Sequence, residues 1–147
     1  FSGPVTLTGS PASGVTVVGR TTSGGVPGSP VVYVPSSVVA VDSDTIALIF
    51  NAGVLPDATC YTITLGAGLI NEAITGDADV QVRSLFGDAN GSGEVLLGDA
   101  LLSKAHIGQP AASVAGSDVD LNGTVTVADG LLIKSRVASP SNKVVCP

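Results

Sequence analysis

The chain contains no tryptophan and no methionine, one histidine, two cysteines, two tyrosines and three phenylalanines in 147 residues. With aromatics at 3%, it lacks the stacking surfaces with which carbohydrate-active enzymes hold sugars. His106, the single histidine, stands beside no Ser or Cys in a nucleophile motif, so a place on a helix surface or at a helix end is expected of it rather than catalysis. Charge is also scarce, at 12% of residues against about 25% in ordinary globular proteins. The six Lys and Arg form no cluster that would track a phosphate backbone, and the net charge is −6, which argues against a nucleic-acid partner. No apolar run approaches the roughly 20 residues that span a bilayer, and no charged and apolar leader precedes Phe1, so the chain reads as a processed product without a membrane span.

Cys60 and Cys146 lie far apart, with neither a C-x-x-C pair nor a neighbouring histidine, which disfavours metal or redox chemistry through them. One disulfide is the simplest reading and fits an extracellular location; two unpaired thiols are the alternative. Such a bond would close a loop of about 85 residues, tie the chain's end back to its β-rich half, and stabilise by roughly 4–5 kcal/mol in the chain-entropy account.

What the chain has in quantity is Val, Thr, Ser, Ala and Gly. Up to residue 86, runs rich in Val, Thr and Ile recur between Gly, Pro, Ser and Asp clusters, predicting strands over 5–8, 15–18, 31–34, 38–41, 45–50, 61–65 and 80–85. Their spacing, with Asp42-Ser43-Asp44 as a hairpin turn, predicts an antiparallel β-sandwich. Strands such as 31–34 and 46–50 are apolar at nearly every position, as if covered on both faces or used in a subunit contact. The segment 21–30, with Gly24, Gly25, Pro27, Gly28 and Pro30, is expected to be a flexible loop. Glu72, Asp77 and Asp79 are a weaker cation candidate, since Gly76-Asp77 reads first as a turn.

Beyond residue 86 two helices are expected, around 100–107 and 131–137, stopped by Gly108 and Pro110 and by Ser139 and Pro140. Each follows an Asp-rich loop, and the two loops are copies: Asp88, Asn90, Ser92, Gly93, Val95, Asp99, Leu101, Leu102 and Lys104 recur thirty residues on as Asp118, Asp120, Asn122, Gly123, Val125, Asp129, Leu131, Leu132 and Lys134. Calcium takes six to eight oxygen ligands, and a tight loop supplies them from its first, third and fifth residues. These are Asp88, Asn90 and Ser92, then Asp118, Asp120 and Asn122. A glycine at the sixth position allows the sharp turn, after which the carbonyl of Glu94 or Thr124 faces the ion. Asp99 and Asp129, at the twelfth position, open the following helices and offer a carboxylate while capping free N–H groups. Val95 and Val125, at the eighth, are expected to bridge the two loops. Two Ca2+ ions are therefore expected. The only Asn-x-Ser/Thr sequons, Asn90-Gly91-Ser92 and Asn122-Gly123-Thr124, begin on these same ligand asparagines. Lys104 and Lys134 follow on the helices, as solvated surface or as a partner face.

The stretch from Gly87 to Val137 resembles a type I dockerin, in which calcium loop and helix are duplicated and the incoming helix of an ordinary EF-hand is missing; residues 79–83 alternate like a strand directly before Asp88. The resemblance implies calcium-dependent folding and a cohesin-like partner. Two departures stand out: Leu97-Gly98 and Val127-Ala128 occupy the tenth and eleventh positions, often hydroxylic in dockerins, and Ser92 and Asn122 replace the usual Asp at the fifth. With two side-chain carboxylates against three, the first site is expected to be the weaker. The first half resembles the bacterial Ig-like domains that precede dockerin-like modules, through Phe1-Ser2-Gly3-Pro4-Val5, Cys60-Tyr61-Thr62-Ile63-Thr64-Leu65 and Leu85-Phe86-Gly87-Asp88.

The expected architecture is thus mainly β, with an Ig-like antiparallel sandwich over 1–86 and a small α-helical dockerin-like module with its tail over 87–147. The expected function is a non-catalytic, extracellular, calcium-binding structural or assembly subunit, a homo-oligomer or polymer. The alternatives are an anchoring module of a larger secreted protein, docking on a cohesin-like partner, and more remotely a small hydrolase. The Phe1–Val5 motif resembles the middle of one that continues upstream in related domains; a missing strand there would be filled by a neighbouring copy, with residues 5–8 as donor. A complete domain whose first strand starts at Val5 is the other possibility.

Overall fold

A computed structural model describes residues 4, 6–8, 14–71, 73 and 78–147. It is mainly β, with antiparallel sheets and, among the described residues, two α-helices. Among the described residues there are seven strands: β1 (Val15–Ser23), β2 (Val26–Pro27), β3 (Val31–Tyr33), β4 (Ser37–Ala40), β5 (Ile46–Ile49), β6 (Thr59–Leu65) and β7 (Asp79–Ser84). The helices are α1 (Leu97–Ala105) and α2 (Val127–Arg136), with 3-10 turns at Ala111–Ser113 and Ala115–Ser117 between them. The larger sheet has the order β2-β1-β6-β7, with β3 also paired to β1, and β4 and β5 form a separate hairpin.

The chain divides into two compact units: Phe1–Arg20, Ser29–Pro56 and Tyr61–Val82 in one, and Thr21–Gly28, Asp57–Cys60 and Arg83–Pro147 in the other. In the first, alternation along β1 turns Val15 and Val17 inward. They form a core with Val38 from the hairpin, Tyr61 from β6, and Leu69 and Ile70, with Ile46 and Leu48 packed against it. Tyr33 meets the Tyr61 ring edge-on at 5.6 Å between centroids, a favoured aromatic geometry, and the Tyr61 hydroxyl donates to the Pro56 carbonyl (2.6 Å). Gly14 is required here, because a Cβ would lie 2.7 Å from Leu69 Cδ1. The Asp42-Ser43-Asp44 turn forms as expected, with Val41 N–H donating to Thr45 O (2.9 Å) and Asp44 N–H to Asp42 Oδ1 (3.1 Å).

Among the expected N-terminal donor residues, Val5 lies outside the described residues, as do Phe1, Ser2 and Gly3. Leu7 forms an antiparallel bridge with Ile70, flanked by Thr8 N–H to Leu69 O (2.9 Å) and Asn71 N–H to Thr6 O (3.0 Å). Residues 6–8 therefore pair within their own unit. Glu72 and Asp77 also lie outside the described residues, and Asp79 opens β7.

The segment expected to be a flexible loop is instead a tight hairpin. Gly24 and Gly25 both take left-handed backbone (φ +58° and +78°), the conformation a two-residue turn with matching strand twist demands. Ser23 thereby faces Val26, and Thr22 faces Pro27. Within the second unit this hairpin is tied down by Thr22 N–H to Ala58 O (2.7 Å), Gly24 N–H to Pro140 O (2.8 Å) and Val145 N–H to Thr22 Oγ1 (3.2 Å). The Cys60–Cys146 disulfide is present, with Cα atoms 5.3 Å apart. Cys60 stands in β6, so the bond ties the chain's end to a strand of the larger sheet; both cysteines belong to the second unit, where the bond packs beside Ala58, Val144 and Leu85. No helix among the described residues is long and apolar enough to cross a membrane.

Candidate metal centre

Both Asp-rich loops lie in the second unit and share one internal frame. The first carboxylate folds back over its own loop: Asp88 Oδ1 accepts from Ser92 N–H (2.9 Å) and its Oδ2 from Gly93 N–H (2.7 Å). Asp118 repeats this with Asn122 N–H (3.2 Å) and Gly123 N–H (2.9 Å). The third residue makes an Asx turn onto the fifth, Asn90 Oδ1 with Ser92 N–H (2.9 Å) and Asp120 Oδ1 with Asn122 N–H (3.1 Å). Gly93 and Gly123 have φ of +86° and +95°, so the sixth position takes the backbone that glycine alone adopts without strain.

The twelfth residues are fully buried and sit at the third position of each helix. Asp99 accepts from Asn90 N–H (3.2 Å) and Leu96 N–H (2.8 Å). Asp129 accepts from Val119 N–H (2.9 Å), Asp120 N–H (3.2 Å), Thr126 N–H (2.8 Å) and the Thr126 hydroxyl (3.0 Å). Burial works to raise the Asp129 carboxyl, yet these bonds, led by the one from Thr126 N–H, outweigh it and hold the group below the usual carboxylate range. Hydrogen bonds thus favour the ionised form of this buried aspartate, and among the described residues no ion pair reaches it.

Asp118, Asp120 and Asp129 each place a carboxylate oxygen within 4.8 Å of the others. Asn122 and Thr124 lie on the exposed side of the same loop, with Thr124 N–H donating to Asn122 Oδ1 (3.0 Å). Every candidate donor is a hard oxygen, which fits calcium or another hard cation rather than zinc or copper. In the first loop only Asp88 and Asp99 bring carboxylates. Glu94 has its carboxylate engaged by Lys143 Nζ (3.5 Å), while its carbonyl accepts from the Ser92 hydroxyl (3.0 Å).

Val95 and Val125 are fully buried, but they do not bridge the loops to each other as expected. Glu94 bridges to Lys143, with Val95 N–H on Asn142 O (2.6 Å) and Val144 N–H on Gly93 O (2.8 Å). Thr124 bridges to Pro110, with Val125 N–H on Gln109 O (3.0 Å) and Gly108 N–H on Val125 O (2.8 Å). Each loop edge is thus filled by the segment that follows the other loop's helix, which satisfies the same backbone groups that a loop-to-loop bridge would have used.

Further contacts had no signal in the repeat. Asp57 pairs with Arg136 at the end of α2 and accepts from Phe86 N–H (2.7 Å), fixing the approach to the first loop. Arg136 also lies over the Phe86 ring, 5.7 Å from its centroid. His106 ends α1 and shares a hydrogen bond with the buried Ser117 hydroxyl (Nδ1 to Oγ, 2.8 Å), a structural place at a helix end. Compared with known proteins, the chain matches no family model, no curated protein and no solved structure.

Proposed function

We propose that the chain is a non-catalytic, extracellular, calcium-binding structural or assembly subunit, its second unit a dockerin-like module holding two Ca2+ ions and its first an Ig-like sandwich that associates with other copies. The observation that carries the reading is the oxygen cluster of Asp118, Asp120 and Asp129, set in a loop whose turn geometry is repeated around Asp88 and Asp99. An ion there would be held by Asp118, Asp120, Asn122, Asp129 and the Thr124 carbonyl, and in the other loop by Asp88, Asn90, Ser92, Asp99 and the Glu94 carbonyl. Its charge would relieve the repulsion among ionised carboxylates and cross-link each loop to the helix behind it. Self-association is supported by apolar side chains left exposed in the first unit, including Val31, Val32, Val34, Val41 and Val80. The disulfide fits an oxidising compartment.

Calorimetric titration tests the calcium reading: Asp129→Ala should weaken binding far more than Ser92→Ala, and electron microscopy with and without chelator should show whether assembly depends on the ion. A second reading, an anchoring module that docks on a cohesin-like partner, is favoured by the groove of about 360 Å³ between α1 and α2. Leu97, Leu101, Val127 and Leu131 line it, with Lys104 and Lys134 beside them. Binding to a panel of cohesins discriminates the two.

A further inference from the structure

Asn90-Gly91 and Asn122-Gly123 are the chain's two Asn-Gly pairs, one in each loop, and the fold treats them differently. In such a pair the glycine amide nitrogen can attack the asparagine side-chain carbonyl carbon, because no Cβ obstructs it. Gly91 is exposed, a Cβ on it would meet nothing within 4 Å, and among the described residues no acceptor takes its N–H. Both asparagines are folded over the following peptide, Asn90 Oδ1 accepting from Ser92 N–H (2.9 Å) and Asn122 Oδ1 from Thr124 N–H (3.0 Å). This contact polarises both amide carbons alike, and the difference lies at the glycine N–H and the leaving nitrogen. Gly123 N–H instead donates to Asp118 Oδ2 (2.9 Å), and a carboxylate at that distance opposes the proton loss that attack requires. The group that would leave, Asn122 Nδ2, is held by Asp120 Oδ2 (2.8 Å).

We propose that Asn90 is a site of spontaneous deamidation and that Asn122 is protected from it. The Gly91 nitrogen bonds to Asn90 Cγ as its proton passes to the departing amide; the Cγ–Nδ2 bond breaks and ammonia leaves a cyclic succinimide. Water then adds to either imide carbonyl and opens the ring, so that asparagine and water become ammonia and either aspartate or isoaspartate. Position 90 is the third of its loop, where the second loop carries Asp120. The aspartate product gives the first loop the carboxylate set of the second, and the isoaspartate product lengthens the backbone and breaks the turn onto Ser92. The consequence for calcium rests on the function proposed above; the deamidation itself does not.

The test holds the full chain in warm, mildly alkaline buffer, folded and in denaturant, and follows each Asn-Gly peptide by mass spectrometry. In the folded protein the Asn90 peptide gains one mass unit about tenfold faster than the Asn122 peptide or more, and in denaturant the two rates converge. Equal rates in the folded protein, faster change at Asn122, or no change at Asn90 would overturn the proposal. Calcium titration of Asn90→Asp separates the two ideas: if Asn90 deamidates as described and this variant binds no calcium, the modification site stands and the calcium reading falls.

Discussion

The two loops differ in how much of their closure comes from their own residues. In the second, Asp129 collects three backbone N–H groups and the Thr126 hydroxyl, and Thr126 in turn caps α2 by accepting from Ala128 N–H (3.2 Å). In the first, Asp99 collects two N–H groups, and Leu96 stands where Thr126 stands, with no side-chain acceptor to give. Both loops take a bridge from the segment that follows the other's helix, residues 142–144 for the first and 108–111 for the second, and for the first that segment also brings the salt bridge from Lys143 to Glu94. A repeat can thus keep one frame while one copy closes more on its own side chains and the other leans more on distant chain.

The largest expected effect comes from cutting that dependence. Replacing Cys60 and Cys146 together by serine should destabilise by about 4 kcal/mol, read from denaturant unfolding. The loss should be uneven, with hydrogen exchange rising at the Val95 and Val144 amides before those of Val125 and Ala111. Equal loosening of both loops would break the comparison.

A smaller contrast separates the capping aspartates. Asp129→Ala strands more buried donors than Asp99→Ala, so in chelator it should cost about 3 kcal/mol against about 2 for the other, each being an accumulation of unsatisfied groups. Thermal unfolding of the two variants side by side checks the order. Smallest of all, and opposite in sign, is Leu121→Gly. Leu121 holds φ +58° at the loop position where the first copy has Gly91 at +73°, and it is 85% exposed. Relieving that strain, less the added freedom of glycine when unfolded, should stabilise by about 0.5–1 kcal/mol; a loss of stability would mean that the side chain has a contact role.

Much of the loop architecture was legible because it is local: an Asp, an Asn or Ser and a Gly at fixed spacing determine their own turn, and the buried twelfth aspartate follows from its place opening a helix. The strand directly before Asp88 was legible for the same reason, as β7 alternates from Asp79 to Ser84. The hairpin at Gly24-Gly25 was misread because glycine signals mobility and left-handed turns alike, and only the backbone partners at Ala58 and Pro140 decide between them. The bridges at Glu94 and Thr124 were misassigned because the repeat suggested pairing like with like. Residues 108–111 and 142–144 share no motif, so nothing in the sequence identified them as the strands that fill the loop edges.

Both loops are proposed to hold calcium, the second more tightly. Calorimetric titration of the full chain with calcium tests this proposal most directly. Two binding events are expected within the range typical of extracellular modules, about 10⁻⁴–10⁻³ M or tighter, with the tighter one removed by Asp129→Ala. The absence of any binding at millimolar calcium would contradict it.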